Sequence, residues 1–256
     1  MRNRTFAVAA FATVAIATGA NAADMAARPY VKAPPPAVVS VYDWSGFYIG
    51  GNGGYGTSRN CWNFVSFAGA PFTAGEGCHN ADGAVAGGQV GYRWQSASWV
   101  FGLEAQGDWA DLRGASVSSP AFVVAPGDLT INSRVRAFGL FTGQVGWAWN
   151  NVLLYVKGGA AVVDNRYFHT FTATNALINS TSDTRWGATV GAGLEFGFTP
   201  NWSVGVEYNH IFLDRDTLSF AASPAGVATT NSIRQDVDMV TARVNYRFGG
   251  PSLTRY

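Results

Sequence analysis

Between Trp186 and His210 the chain reads WGATVGAGLEFGFTPNWSVGVEYNH, and every second residue is apolar. Trp186, Ala188, Val190, Ala192, Leu194, Phe196 and Phe198 share one face, while Gly187, Thr189, Gly191, Gly193, Glu195 and Gly197 share the other. After a break at Thr199–Asn201 the pattern resumes. Trp202, Val204, Val206 and Tyr208 then stand opposite Ser203, Gly205, Glu207 and Asn209. A period of two is the signature of a β-strand, and a short break between two such runs is a hairpin. Strands of this kind have one oily side, which must face either a protein interior or hydrocarbon.

The same alternation recurs from Trp44 onward. In Trp44–Tyr55, Phe47, Ile49 and Tyr55 oppose Tyr48, Gly50 and Asn52. Gly83–Trp94 sets Val90, Tyr92 and Trp94 against Gln89, Gly91 and Arg93, and Trp99–Trp109 sets Trp99, Phe101, Leu103 and Ala105 against Gly102, Glu104, Gln106 and Asp108. Arg134–Trp149 alternates Val135, Phe141, Val145, Trp147 and Trp149 with Arg134, Arg136, Thr142 and Gln144. Val152–Val162 and Asp238–Phe248 continue the series, the latter with Val240, Ala242, Val244, Tyr246 and Phe248 on one face and Thr241, Arg243, Asn245 and Arg247 on the other. With the opening hairpin this makes eight strands. Alternate connections are tight, at Gln95–Ser98, Asn150–Asn151 and Thr199–Asn201, and the others read as long loops over about 56–82, 110–133, 163–184 and 212–236. Short turns at one end and long loops at the other are the plan of a membrane barrel, with the short turns periplasmic.

Export fits that plan. MRNRTFAVAAFATVAIATGANA has two early arginines, an apolar run and a small-x-small ending at Ala20-Asn21-Ala22, which reads as a signal peptide over residues 1–22. Residues 23–43 carry Pro29, Pro34, Pro35 and Pro36 and read as an extended periplasmic tether or as plain disorder. The barrel then occupies residues 44–248, and 249–256 form a tail.

Composition decides which solvent the oily face meets. Only 13% of residues are charged, 31 are glycine, and 14% are aromatic. In a soluble carrier barrel the apolar face would turn inward and the glycine-rich face would meet water with few charges to solvate it. In a membrane barrel the apolar face meets lipid, small and polar residues fill the lumen, and closure satisfies every backbone hydrogen bond. Aromatics favour the second reading. Trp94, Trp99, Trp147, Trp149, Phe198, Trp202, Tyr246 and Phe248 cluster beside the tight turns, and Tyr55, Trp109, Trp186 and Tyr208 lie toward the other end. Two girdles of amphipathic rings match the two headgroup interfaces. The expected fold is therefore all-β, an eight-stranded antiparallel up-and-down transmembrane β-barrel in the outer membrane.

Inward parity places Glu104, Lys157, Glu195, Glu207 and Arg243 a few residues above the short turns. Opposite charges in so narrow a lumen should pair, because an isolated buried charge costs several kcal/mol. An ionic plug is expected there, with a switchable ion path as the sharper alternative. Asp108, Arg134, Arg136 and Arg185 form a looser group expected nearer the outside. Cys61 and Cys78 point to a disulfide in an exported chain, and closing a loop of about 16 residues restricts the unfolded state by about 3 kcal/mol. No spacing suggests a metal, and no cofactor is expected. His79, His169 and His210 fall in or near the outer loops; haem ligation or lipid chemistry by them is a minor alternative. The net charge of +1 gives no reason to expect nucleic acid.

The segments WSGFYIGGNGGYG (Trp44–Gly56), VGAGLEFGFTPNWSVGVEY (Val190–Tyr208) and VNYRFGG (Val244–Gly250) resemble the small outer-membrane β-barrel proteins of Gram-negative bacteria, the opacity-protein-like group, with the OmpA-type transmembrane domain more distant. The resemblance runs over nearly the whole mature chain. It implies outer-membrane lipid as the surroundings, the barrel assembly machinery as a partner in biogenesis, and contact with peptidoglycan or a host surface. Such chains end on the last strand's aromatic, whereas here Phe248 is followed by GGPSLTRY, so either Phe248 or Tyr256 serves as the assembly signal. The role expected is structural, supporting the envelope and presenting loops; the alternative is a passive porin-like channel.

Overall fold

In a computed structural model, residues 42–117, 129–220 and 228–249 are described. The segment expected to be a signal peptide, nearly all of the expected tether, two of the outer connections and the tail from residue 250 lie outside these residues.

Eight strands close into one barrel. They are β1 (Gly46–Phe67), β2 (Ala70–Ser96), β3 (Trp99–Val117), β4 (Leu129–Trp149), β5 (Val152–Phe171), β6 (Leu177–Thr199), β7 (Trp202–Phe220) and β8 (Thr229–Phe248). Each pairs antiparallel with its successor, and β8 closes on β1 from Phe47↔Phe248 to Phe67↔Thr229. Tight turns sit at Ala97-Ser98, Asn150-Asn151 and Pro200-Asn201; Asn150 takes φ 52°, a left-handed conformation that asparagine tolerates.

The strands are far longer than the alternation suggests, from 19 to 27 residues. A tilted strand of about 10 residues already crosses the hydrocarbon. Most of what reads as long loops is therefore sheet that continues past the membrane. The β1–β2 connection shrinks to Ala68-Gly69, and the β5–β6 connection to residues 172–176. Cys61 and Cys78 face each other across this extension of β1 and β2 and form a disulfide.

Along β2 to β5, β7 and β8 the two faces exchange character, while β1 and β6 keep Ser58, Asn60 and Arg185 inward. β8 shows it most simply. Near the short turns its inward residues are Arg247, Asn245, Arg243 and Thr241, all buried, while Val240 and Val244 are about half exposed outward at 50% and 43%. Six residues further up, the inward residues are Met239 and Val237, fully buried, and the outward ones are Asp238, Asp236 and Arg234. Leu112, Val135, Phe138, Leu140, Val163, Ile211 and Leu213 join Met239 and Val237 in an apolar plug inside the barrel. Above it Trp62, Ile131, Tyr167, Leu218 and Ile233 form a second apolar layer. Below, Tyr42, Trp44, Val100, Ala148, Leu153 and Tyr155 close the short-turn end.

Strands also change phase, three of them β3, β4 and β7. Register shifts fall between Trp109 and Leu112, between Val135 and Ala137, and between Leu213 and Asp216. An extra residue at such a point moves the next side chain to the opposite face. This corrects the assignment of β4: Val135 is buried inside the barrel, not on the lipid side, and Arg134 and Arg136 point outward.

Candidate functional site

The lumen of the lower half is filled by one polar layer to which every strand contributes. Tyr48 comes from β1, Arg93 from β2, Glu104 from β3, Gln144 from β4, Tyr155 and Lys157 from β5, Glu195 from β6, Glu207 from β7 and Arg243 from β8. All are buried. At the centre is a closed cycle. Lys157 Nζ lies 3.0 Å from Glu104 Oε1 and 2.6 Å from Glu207 Oε1. Arg243 bridges the same two carboxylates through Nη2 and Nη1. Tyr48 Oη donates to Glu104 Oε2 at 2.6 Å, and Tyr155 Oη donates to Glu207 Oε2 at 2.5 Å. Asn209 Nδ2 donates to Glu207 Oε1 at 2.9 Å.

A second pair stands beside the cycle. Arg93 Nη2 lies 2.8 Å from Glu195 Oε2, and its guanidinium sits 4.4 Å from the Tyr48 ring centroid and 5.5 Å from that of Tyr155. Ser203 and Asn245 donate to the other oxygen of Glu195. Three carboxylates thus meet three cations, so the layer is neutral. Full pairing is what makes such burial tolerable, since a charge stripped of its partner in this medium costs several kcal/mol.

Glycine makes the layer possible at two points. The Tyr48 ring lies where a Cβ on Gly91 would stand, and the Tyr155 ring lies where one on Gly193 would stand. Any side chain there would push a tyrosine off its glutamate. Sequence parity finds the five charges Glu104, Lys157, Glu195, Glu207 and Arg243, but not the two tyrosines and Arg93 that join them. Arg93 was legible, because it shares the inward face with Gln89 and Gly91. The tyrosines were signalled only as large rings on a face otherwise made of small residues.

The family model described as "Outer membrane protein beta-barrel domain" matches residues 6–248 of the chain. The chain belongs to this family. Its relatives include the 31 kDa outer-membrane immunogenic protein of Brucella melitensis biotype 1, 31% identical over 91% of this chain and 95% of that protein. Another is the 22 kDa outer membrane protein of Rhizobium leguminosarum bv. viciae, 30% identical over 65% of this chain and 63% of that one. Among solved structures, Ail, the attachment invasion locus protein of Yersinia pestis, aligns with a TM-score of 0.38 at 16% identity, covering 77% of this chain and 99% of Ail.

As an outer-membrane β-barrel, the chain turns its apolar wall to lipid. Leu103, Val190, Leu194, Val206 and Phe141 are all about half exposed or more, between 49% and 62%. Trp94, Trp99, Trp149, Trp202 and Phe248 ring the short-turn end on this wall, with Trp147 and Tyr246 packed among them. Tyr55, Trp109, Trp186 and Tyr208 stand toward the other end. Trp99 and Trp109 lie ten residues apart on β3, about 33 Å along the strand and about 25 Å of height at the usual tilt, the height of an apolar band. Tyr55 and Tyr208 each donate to a carboxylate on the neighbouring strand, Asp82 and Asp238, both at 2.5 Å. Rings with an oily body and a hydrogen-bonded tip suit that boundary.

Of the outer charges, Asp108 and Arg185 lie inside and Arg134 and Arg136 do not. Asp108 accepts from Gln106 at 2.8 Å, one step above the cycle. Arg185 donates to Gln235, which also binds Ser58, Asn165 and Tyr167 in a buried polar layer. Arg134 pairs with Asp111 at 2.8 Å and Arg136 with Asp164 at 2.9 Å on the outer wall. The histidines sit on strands, not in loops. His79 contacts Ser133 Oγ at 3.0 Å, His169 contacts Asn179 Oδ1 at 2.8 Å, and His210 contacts Asp238 at 2.7 Å. No group of three metal-capable side chains occurs among the described residues.

Proposed function

We propose that this outer-membrane barrel is structural and non-conducting: a closed cylinder that braces the envelope and raises a stiff β-sheet extension above the lipid. The observation that carries this reading is the cycle of Glu104, Lys157, Glu207 and Arg243, buried and paired across the lumen. The apolar plug around Leu140, Ile211 and Met239 supports it from above, since a passive pore needs a wetted path and this lumen is packed at two successive levels. Neither layer presents an activated nucleophile to solvent, which supports a role other than catalysis.

Biogenesis is inferred to follow the family plan: export by the 1–22 signal, folding by the assembly machinery that reads the last strand, and tethering of residues 23–43 near peptidoglycan. The test is electrical. Purified barrel, shown to be folded by its altered gel migration before boiling, is reconstituted in planar bilayers. No steady current is expected. A reproducible ohmic channel would favour the porin-like alternative instead.

A further inference from the structure

The outer wall above the upper girdle treats its charges differently on its two sides. Across β1 and β8, Arg59 is directly opposite Asp236, and across β7 and β8, His210 is opposite Asp238. An arginine faces an aspartate in the first pair, and a histidine is hydrogen-bonded to an aspartate in the second. Across β3, β4 and β5 the reverse holds: Arg113 is directly opposite Arg134, and Arg134 directly opposite Arg166. Like charges facing each other across strands destabilise a sheet. Asp82 ends the row on the β2 side, opposite Arg113, and Ser182 ends it on the β6 side.

Local carboxylates offset only part of this. Asp111 accepts from Arg113 at 2.7 Å and from Arg134 at 2.8 Å, and Asp164 accepts from Arg136 at 2.9 Å. Arg166 is exposed and makes no ion pair among the described residues. On β3–β5, four arginines thus face two aspartates.

Height identifies the partner. Arg113 lies four residues beyond Trp109, about 13 Å along the strand and about 10 Å above the girdle at the usual tilt. Trp109 and Trp186, 78% and 65% exposed, are the two most exposed large apolar side chains among the described residues, and they flank this sector below. The headgroup layer reaches about 5–7 Å beyond the hydrocarbon, within reach of a long arginine side chain bending down from this height, and guanidinium forks match phosphate oxygens in two-pronged hydrogen bonds.

We propose that the Arg113–Arg134–Arg166 row is a binding surface for a phosphate-bearing lipid headgroup of the outer leaflet, its acyl chains lying on the wall below beside Trp109 and Trp186. The inference does not depend on whether the lumen conducts. A bound phosphate bridging Arg134 and Arg166 removes the repulsion that the bare sheet carries.

Native mass spectrometry of barrel released from nanodiscs tests this, with diphosphorylated lipid A, its dephosphorylated form and phosphatidylcholine as probes. Retention of the diphosphorylated lipid is expected to fall about tenfold in Arg134→Gln/Arg166→Gln and to hold in Arg59→Gln. Asp111→Asn, which frees two arginines, is expected to raise it. Inorganic phosphate at the same concentration is expected not to displace the lipid. Equal retention of the dephosphorylated lipid, an equal loss in Arg59→Gln, or displacement by free phosphate would overturn the proposal.

Discussion

The lower and upper halves of this barrel are built on the same strands and are inside-out with respect to each other. Below, Val240 and Val244 of β8 look outward and Arg243 and Arg247 inward; above, Asp236 and Arg234 look outward and Val237 and Ile233 inward. Between β1 and β8 the backbone ladder does not change, running without interruption from Phe47 to Phe64. What changes is the solvent outside. Where the wall meets hydrocarbon, the polar side chains can only go inside and must neutralise one another. Where it meets water, an ordinary apolar core becomes the stable filling. A β-barrel can thus stand in two solvents at once if its alternation is re-assigned at the boundary.

Substitutions can break this comparison, because one kind of change should have different costs in the two halves. The largest effect is expected inside the lower half. Glu104→Ala leaves Lys157 and Arg243 with one carboxylate between them, and loss of a buried partner of this kind costs about 3–5 kcal/mol. Urea unfolding in lipid vesicles, followed by tryptophan fluorescence, measures it; a loss below about 1 kcal/mol would mean water reaches the layer.

Inside the upper half the expected cost is that of a cavity. Ile211→Ala removes a fully buried side chain from the apolar plug and should lose about 2–5 kcal/mol, with little dependence on salt. Glu104→Ala and Ile211→Ala together sharpen the contrast, since the first removes an electrostatic partner and the second only packing.

On the outer wall the order reverses between halves. Val206→Arg puts a charge in the apolar band and should cost about 2–4 kcal/mol, whereas Ser180→Arg, on the wall above and opposite Phe168, should cost under about 0.5 kcal/mol. Equal costs at the two sites would erase the boundary. The smallest effect is expected for Arg136→Gln. Its pair with Asp164 lies on the wall just above the apolar band, is 43% exposed on the arginine side, and should contribute below about 1 kcal/mol, less at high salt.

These two halves also differ in how much of them the sequence discloses. In the lower half the alternation is strict, with oily residues outside and Gly, Thr or an isolated charge inside, so strand order, tight turns, girdles and the inward parity of Glu104, Lys157, Glu195, Glu207 and Arg243 can all be read from it. In the upper half outward residues are Asp, Arg, Ser and Asn, inward ones mix Ile and Val with Asn and Gln, and the pattern looks like loop. Register shifts add to the confusion, and the one beside Val135 is why Arg134 and Arg136 read as inward by counting alone. Tyr48 and Tyr155 escaped for another reason: their role depends on glycines from neighbouring strands, Gly91 and Gly193, and that pairing exists only once the register is fixed.

The boundary itself is best tested by site-directed spin labelling along the outward face of β8. Labels are placed singly at Val244, Ala242, Val240, Asp236 and Arg234 in barrel reconstituted in lipid, and collision with oxygen is compared with collision with a water-soluble nickel chelate. Oxygen should dominate at Val244, Ala242 and Val240, and the chelate at Asp236 and Arg234, with the crossover near Asp238. A single accessibility along the whole strand, or chelate access at Val244, would contradict a wall that leaves hydrocarbon for water part-way up.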